Sequence, residues 1–122
     1  MGVAQQIFYT EDDYYNLPEN VRAELIAGQI YYQAAPGRIH QEMLSFLFKK
    51  IAFYIDYKNG FCKIYPAPFA VKLSADRENI VEPDISVICD RRKLTARGCT
   101  GAPDWIVEII SPDNPEHDYI RK

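Results

Sequence analysis

One long amphipathic helix is the feature that most restricts how this chain can fold. Apolar side chains recur at steps of three and four residues between Arg38 and Tyr57, which is the repeat of an α-helix. The members of this stripe are Ile39, Met43, Phe46, Leu47, Ile51, Tyr54 and Ile55. The pair Asn59-Gly60 follows and favours a left-handed cap. The segment therefore predicts a helix that ends near residue 58.

The rest of the chain consists mainly of short β-prone segments separated by prolines, glycines and charged residues. The predicted elements are a short helix from Thr10 to Leu17, a hairpin within Arg22–Gln33 that turns at Gly28, strands at Phe61–Tyr65, Phe69–Leu73, Ile80–Cys89 and Trp105–Ser111, a charged loop at Asp90–Gly101, and a helix that opens at Asp118–Lys122. Trp105–Ser111 is the most apolar strand, and we expect it to be central and covered on both faces. The order predicts an α/β (α+β) fold with a mixed sheet core flanked by helices, preceded by an N-terminal helix and a β-hairpin.

Length and composition limit the class of protein. A chain of 122 residues has room for a single domain, which we expect to span residues 1–122. Its apolar runs are short and interrupted by charge, which excludes a membrane span, and the N-terminus lacks a secretory signal. Nucleic-acid enzymes usually have a basic face, and the net charge of −3 argues against that class. An acidic total still allows a local basic groove for nucleic acid.

The cysteine pattern favours structural thiols. Cys62, Cys89 and Cys99 are odd in number and show no CxxC spacing, which argues against a zinc knuckle and against a disulfide framework. We expect Cys62 and Cys89 to be small core residues in strands. This pattern is compatible with a reducing compartment, so a cytoplasmic location is expected.

Three carboxylates stand inside otherwise apolar β-prone segments. Glu24 lies in the first hairpin strand, Asp84 follows Pro83, and Glu108 is flanked by apolar residues on both sides. A buried carboxylate costs several kcal/mol unless a cation or hydrogen-bond donors compensate. Converging at one end of a sheet, the three acids could bind a hard divalent cation that activates water at a phosphate. The alternative is that each acid faces solvent, pairs with Arg or Lys, or begins a turn.

The order of several motifs resembles the Uma-type family of restriction endonucleases, a cyanobacteria-rich family within the PD-(D/E)xK nuclease superfamily. The segments that carry the resemblance are Asn79–Ile88 followed by Gly101–Pro112, the hairpin Ala23–Ile30, the Pro-to-His-Gln helix start within Ala35–Leu44, and the Asp-x-x-x-Lys of Asp118–Lys122. Together they cover residues 8–122 in the family's order. The resemblance implies a restriction-endonuclease-like fold, with the domain truncated at its C-terminal end relative to the family.

The resemblance also implies roles for individual residues. Asp84 corresponds to the acid of the PD element and Glu108 to the acid of the (D/E)xK element, so both would hold Mg²⁺ or Mn²⁺, with the backbone carbonyl of Ile109 as a further ligand. Glu24 would be an accessory acid. The superfamily's lysine position is Ile110 here, and in this branch a lysine from the following helix, Lys122, would assist the attacking water or the developing charge.

Two functional hypotheses follow. The first is a magnesium-dependent endonuclease that hydrolyses DNA with a metal-activated water; double-strand cutting would favour a homodimer with a twofold axis. His40 would contact substrate phosphate or position water, or else would cap or pack the helix. The second hypothesis is a catalytically inactive or truncated nuclease-like domain that serves as a nucleic-acid or protein interaction module.

Overall fold

The structure, a computed structural model, describes residues 7–73 and 78–110. Within these ranges the helices are α1 (Glu11–Tyr15) and α2 (Arg38–Tyr57), and Arg91–Lys93 forms one 3-10 turn. The strands are β1 (Ala23–Ile26), β2 (Gln29–Tyr32), β3 (Lys63–Pro66), β4 (Ala70–Lys72), β5 (Ile80–Val81), β6 (Ile85–Ile88), β7 (Leu94–Thr95), β8 (Gly98–Thr100) and β9 (Trp105–Val107).

The strands form two sheets. The larger has the order β2-β1-β5-β4-β8-β7, in which β4 and β8 are parallel and the other neighbours antiparallel. The smaller is antiparallel, with the order β3-β6-β9. Helix α2 contacts β3, and the chain passes from one sheet to the other between β5 and β6. This is the mixed arrangement of helices and strands that the sequence predicts.

The N-terminal elements form as predicted, because local signals specify them. The Thr10 side chain accepts a hydrogen bond from the Asp13 N–H while the Asp13 carboxylate accepts one from the Thr10 N–H, which is a capping box. In the following hairpin, Ala27 and Gly28 have φ angles of 50° and 77°. Positive φ at both turn positions is the type I′ geometry that suits the twist of two-residue hairpins.

Helix α2 has the predicted bounds, but only part of its apolar surface is covered. It ends in a Schellman motif, since Gly60 N–H donates to the Ile55 carbonyl at 2.8 Å and Asn59 N–H to the Asp56 carbonyl at 3.0 Å, with Asn59 at φ 54°. The half-buried apolar side chains of the helix are Leu44, Leu47, Phe48, Ile51, Ala52 and Ile55. Four members of the predicted stripe, Ile39, Met43, Phe46 and Tyr54, are exposed instead.

Two predicted segments are divided differently in the structure. Ile80–Cys89 forms two strands in different sheets, β5 and β6, because Pro83 has no N–H to donate and interrupts the ladder. Asp90–Gly101, predicted as a loop, contains β7 and β8. Gly98 has φ 147°, and a Cβ there would lie 2.1 Å from the Ala70 carbonyl oxygen, so the parallel contact with β4 requires glycine.

The prediction that Trp105–Ser111 is a central strand is wrong for the part of it that the structure describes. Strand β9 lies at the end of the smaller sheet, and Trp105 is 53% exposed. The central strand of that sheet is β6, which is buried at all four positions. Apolar content indicates a strand, whereas the position in a sheet depends on which partners the whole chain supplies.

The core has two apolar clusters. The first contains Tyr14, Leu25 and Ile80 and joins α1 to the centre of the larger sheet. The second consists of Val71, Ile88 and Cys99, and it links the two sheets. Each fully buried aliphatic side chain contributes about 1.5–3 kcal/mol to folding.

The expectation for two of the cysteines is corrected. Cys62 and Cys89 form a disulfide, with Cα atoms 4.0 Å apart, and Cys99 is a buried free thiol. The register of β3 and β6 pairs Lys63 with Ile88, so Cys62 and Cys89 are the next opposed positions. Sequence spacing did not reveal this cross-strand neighbourhood. Because disulfides are rare in a reducing compartment, the cysteines no longer support the predicted cytoplasmic location, which stays a prediction.

Candidate functional site

The site is built on the segment Glu82-Pro83-Asp84 that joins the two sheets. Pro83 is fully buried, and both acids beside it are buried as well. The carbonyl of Asp84 accepts a hydrogen bond from the Ala67 N–H at 2.9 Å, which holds the start of β6 against the loop after β3. Asp84 therefore occupies a fixed position at one end of the smaller sheet.

The antiparallel register of β6 and β9 brings Asp84 and Glu108 to the same end of this sheet. Ile85 pairs with Val107, so Asp84 and Glu108 are the next opposed positions. The N–H of Ile109 donates to Asp84 Oδ2 at 2.7 Å, which ties the chain after Glu108 to the Asp84 carboxylate. The two acids that the sequence singled out are thus neighbours across two strands.

His40 also reaches this place. Its Nε2 lies 3.3 Å from Asp84 Oδ2, and each of the two side chains is about 10% exposed. The Nδ1 atom lies 2.9 Å from the Gln41 side-chain oxygen. The beginning of α2 therefore contributes an imidazole to the Asp84 environment rather than a residue that faces solvent.

Glu24 is joined to the site through the backbone. It is fully buried in β1, and its Oε2 accepts the Glu82 N–H at 2.8 Å, two residues before Asp84. The alternative of a solvent-facing Glu24 is therefore excluded. In the structure, Glu24 anchors the segment that carries Asp84.

A second buried polar cluster, which the sequence interpretation missed, surrounds the Glu82 side chain. The Tyr14 hydroxyl donates to Glu82 Oε2, and Arg22 Nε lies 3.5 Å from Oε1. Burial raises the pKa of Glu82, while Tyr14 and Arg22 act against the rise. Burial and the hydrogen bond to Glu82 raise the pKa of Tyr14 far above its ordinary value. The signal in the sequence was an acid directly before a proline in an apolar run.

Other predicted positions lie outside the described residues. Lys122, the candidate lysine, belongs to 111–122, as do His117 and Asp118. Ile110 is exposed. The predicted role of Lys122 therefore stays a prediction.

The donor set at Asp84 and Glu108 is compatible with a hard cation. No group of three or more His, Cys, Asp or Glu side chains arranged to hold a metal ion occurs within 7–73 and 78–110. Magnesium, however, commonly keeps several waters and takes only one or two protein carboxylates. Both hydrogen bonds of the Asp84 carboxylate to described residues use Oδ2, so Oδ1 carries none from them. Asp84 and Glu108 at opposed backbone positions, with Asp84 Oδ1 outside these two hydrogen bonds, are compatible with Mg²⁺ or Mn²⁺.

The part of the chain that the structure describes contains no helix with the length and apolar character needed to cross a membrane.

The surface of the described residues carries one concentrated positive segment. Residues 91–97 contain Arg91, Arg92, Lys93 and Arg97 and no acid. This segment lies in the connection between β6 and β9.

Comparison with known proteins points to nucleases. The sequence profile of the Uma2 family, described as "Putative restriction endonuclease", matches residues 11–122. A solved structure described as a putative nuclease belonging to DUF820 from Anabaena variabilis ATCC 29413 superposes with a TM-score of 0.69 at 24% identity. The alignment covers 92% of this chain and 64% of that one, so the present chain spans somewhat less than two thirds of its length. No curated protein matches the sequence. The structural match confirms the predicted fold class.

Proposed function

Since the chain belongs to the Uma2 putative restriction endonuclease family, we propose that it is a nuclease that hydrolyses phosphodiester bonds of DNA with Mg²⁺ or Mn²⁺ held by Asp84 and Glu108. The observation that carries this proposal is the β6–β9 register, which sets these two acids opposite one another. A bound divalent cation would supply a polarised phosphate oxygen and a water of lowered pKa.

The protein's own groups have separate tasks in this proposal. Ile109 N–H and His40 orient the Asp84 carboxylate through Oδ2. This orientation leaves Oδ1 for the divalent cation. Glu24 holds the Glu82 backbone and so supports Asp84 from the neighbouring sheet. The Ile109 carbonyl is a further candidate ligand. Lys122 would stabilise charge that develops on the phosphate.

DNA is the proposed substrate, although the whole chain is acidic. Arg91 and Arg97 supply local positive charge for phosphates, whose neutralisation provides much of nucleic-acid affinity, whereas Arg92 is paired with Asp90. Double replacement of Arg91 and Arg97 by Ala should weaken DNA binding and reduce its salt dependence. Binding would be measured by fluorescence anisotropy at several salt concentrations.

The decisive experiment separates metal binding from cleavage. Plasmid cleavage with Mg²⁺ or Mn²⁺ is compared for the wild type, Asp84→Asn and Glu108→Gln, with Asp56→Asn as the control because Asp56 is an exposed acid on α2. We expect the two site variants to lose cleavage and calorimetric Mn²⁺ binding while retaining their circular dichroism spectra. Cleavage by Glu108→Gln at the wild-type rate would refute the assignment.

The role of Lys122 is tested independently. Lys122→Met should retain Mn²⁺ binding and lose about 100–1,000-fold in cleavage rate, as other charge-stabilising donors do when removed. An unchanged rate would remove Lys122 from the site without affecting the two acids.

An inactive interaction module is the alternative. It is favoured by the net charge of −3, which is unusual for a DNA-cutting protein. Absence of both cleavage and metal binding in the wild type would refute the nuclease proposal for this chain and leave the interaction module as the alternative.

A further inference from the structure

The exposed apolar surface of α2 follows a heptad repeat. Its members, named here the heptad stripe, are Ile39, Met43, Phe46, Phe53 and Tyr57, with Lys50 at the remaining position. The steps alternate between four and three residues, and the five apolar side chains are between 48% and 71% exposed. A 3.5-residue seam of this kind is typical of a helix that packs against another helix.

The heptad stripe is large enough to form most of an interface. With about 150–250 Å² for a complete aromatic side chain, its exposed fractions amount to on the order of 600 Å² of apolar surface. Soluble monomers rarely expose a contiguous apolar patch of that size without a binding role. A stable dimer buries about 800 Å² on each partner, so the stripe together with its polar edges approaches the required area.

We propose that the heptad stripe binds the same stripe of a second copy of this chain, with the two α2 helices antiparallel about a twofold axis. Such an interface uses one self-complementary patch on both copies. Lys50 lies at a core position of the seam, with Nζ 5.5 Å from the centre of the Phe46 ring. A single polar residue at such a position restricts the register and the number of partners.

The charges beside the stripe determine the register. Glu42 and Lys49 lie seven residues apart on the same edge, and both are exposed. A twofold axis midway between them places Glu42 of each copy beside Lys49 of the other, and residues 38–53 then overlap. An open groove of about 600 Å³ lies along this stretch, lined by Glu42, Ser45, Phe46, Lys49, Lys50 and Phe53.

The other registers are less favourable. An axis at Lys49, about three and a half residues further along, would bring Lys49 beside Lys49 and Glu42 beside Asp56, and these like charges repel. An axis midway between Lys49 and Asp56 would pair opposite charges, but only residues 48–57 would overlap. The register with Glu42 beside Lys49 combines opposite charges with the longer overlap.

Sedimentation equilibrium of the 122-residue chain tests this interface, in EDTA and without DNA, so that the result does not depend on the nuclease proposal. We expect a concentration-dependent dimer. Glu42→Lys or Lys49→Glu alone should weaken it by about tenfold, because each replaces two attractive contacts between the copies by two repulsive ones. Glu42→Lys also breaks the exposed Arg38–Glu42 ion pair within the helix, which Lys49→Glu leaves intact. The double variant Glu42→Lys/Lys49→Glu should restore the affinity to within about threefold. Asp56→Lys, the control outside the overlap, should change it by less than about twofold.

Phe46→Glu provides the apolar test and should abolish the dimer while the circular dichroism spectrum remains unchanged. A monomer at all concentrations up to several hundred micromolar would overturn the proposal and leave the stripe to a different partner. A dimer that resists Phe46→Glu would locate the interface elsewhere. If Asp56→Lys weakened the dimer and Glu42→Lys did not, the proposed register would be overturned.

Discussion

Reduction of the Cys62–Cys89 disulfide should lower the free energy of unfolding by about 3.5 kcal/mol. The bond joins residues with a sequence separation of 27. The chain-entropy relation for a loop of this length gives about 12 cal/mol/K for the entropy removed from the unfolded chain, which corresponds to about 3.5 kcal/mol at 25 °C. That is a large part of the stability of a domain of this size, commonly 5–15 kcal/mol.

Urea denaturation followed by far-ultraviolet circular dichroism measures this difference, with and without a phosphine reductant. With an m-value of about 2 kcal/mol/M, the midpoint should fall by roughly 1.5–2 M. The double variant Cys62→Ala/Cys89→Ala should have the lower midpoint in both conditions. Cys99→Ala removes only the free thiol and is the matched control, since it should keep the full sensitivity to reductant.

Two results would refute this reasoning. One is a change of less than about 1 kcal/mol on reduction, which would mean that the β3–β6 pairing persists in the unfolded chain or that the loop entropy is compensated. The other is alkylation of all three thiols in the unreduced protein under denaturing conditions, which would show that the bond is absent.

Three further predictions concern the scaffold of the site. Gly98→Ala should destabilise the fold by at least about 2 kcal/mol in urea denaturation, because the new Cβ would collide with the Ala70 carbonyl at a positive φ. The control, Gly37→Ser, meets no atom within 4 Å at the N-cap of α2, and a gain of about 0.5 kcal/mol is expected. Tyr14→Phe should cost about 1–3 kcal/mol by the same measurement, since it removes a buried donor from Glu82; an unchanged midpoint would show that the hydroxyl is dispensable. In the third, burial raises the pKa of Glu82 above 4.5, so the folded chain holds this proton more tightly than the unfolded chain does. The stability due to Glu82 is therefore present below that value and lost as the pH rises through the folded-state pKa, and the wild type should lose stability relative to Glu82→Gln between pH 4 and 7. A constant difference across this range would contradict the raised pKa.

The elements that were predicted correctly depend on local interactions. The capping box at Thr10, the turn at Gly28 and the bounds of α2 all follow from residues that are close in sequence, and local sterics and hydrogen bonds specify such features. The bounds of the strands after residue 60 were less accurate. There the backbone partners come from distant segments, as in the parallel pair of β4 and β8.

The candidate site shows the same division. Their positions within apolar segments indicated that Asp84 and Glu108 were unusual, and the order of motifs related them to a nuclease family. Their opposed positions, by contrast, result from the pairing of β6 with β9. Neither the contact between His40 and Asp84 nor the Tyr14–Glu82 cluster follows from sequence spacing, since 44 and 68 residues separate the partners.

By itself, the sequence determined the long helix, the hairpin and the family, and it singled out the two acids, because periodicity, turn chemistry and motif order are properties of the chain alone. Only the tertiary structure decided that Cys62 and Cys89 are bonded, that β6 rather than β9 is central, and that four of the seven members of the predicted α2 stripe are exposed. The physical reason is that burial and pairing depend on every segment that competes for the same surface. An amphipathic pattern specifies a face, but it does not specify what covers that face.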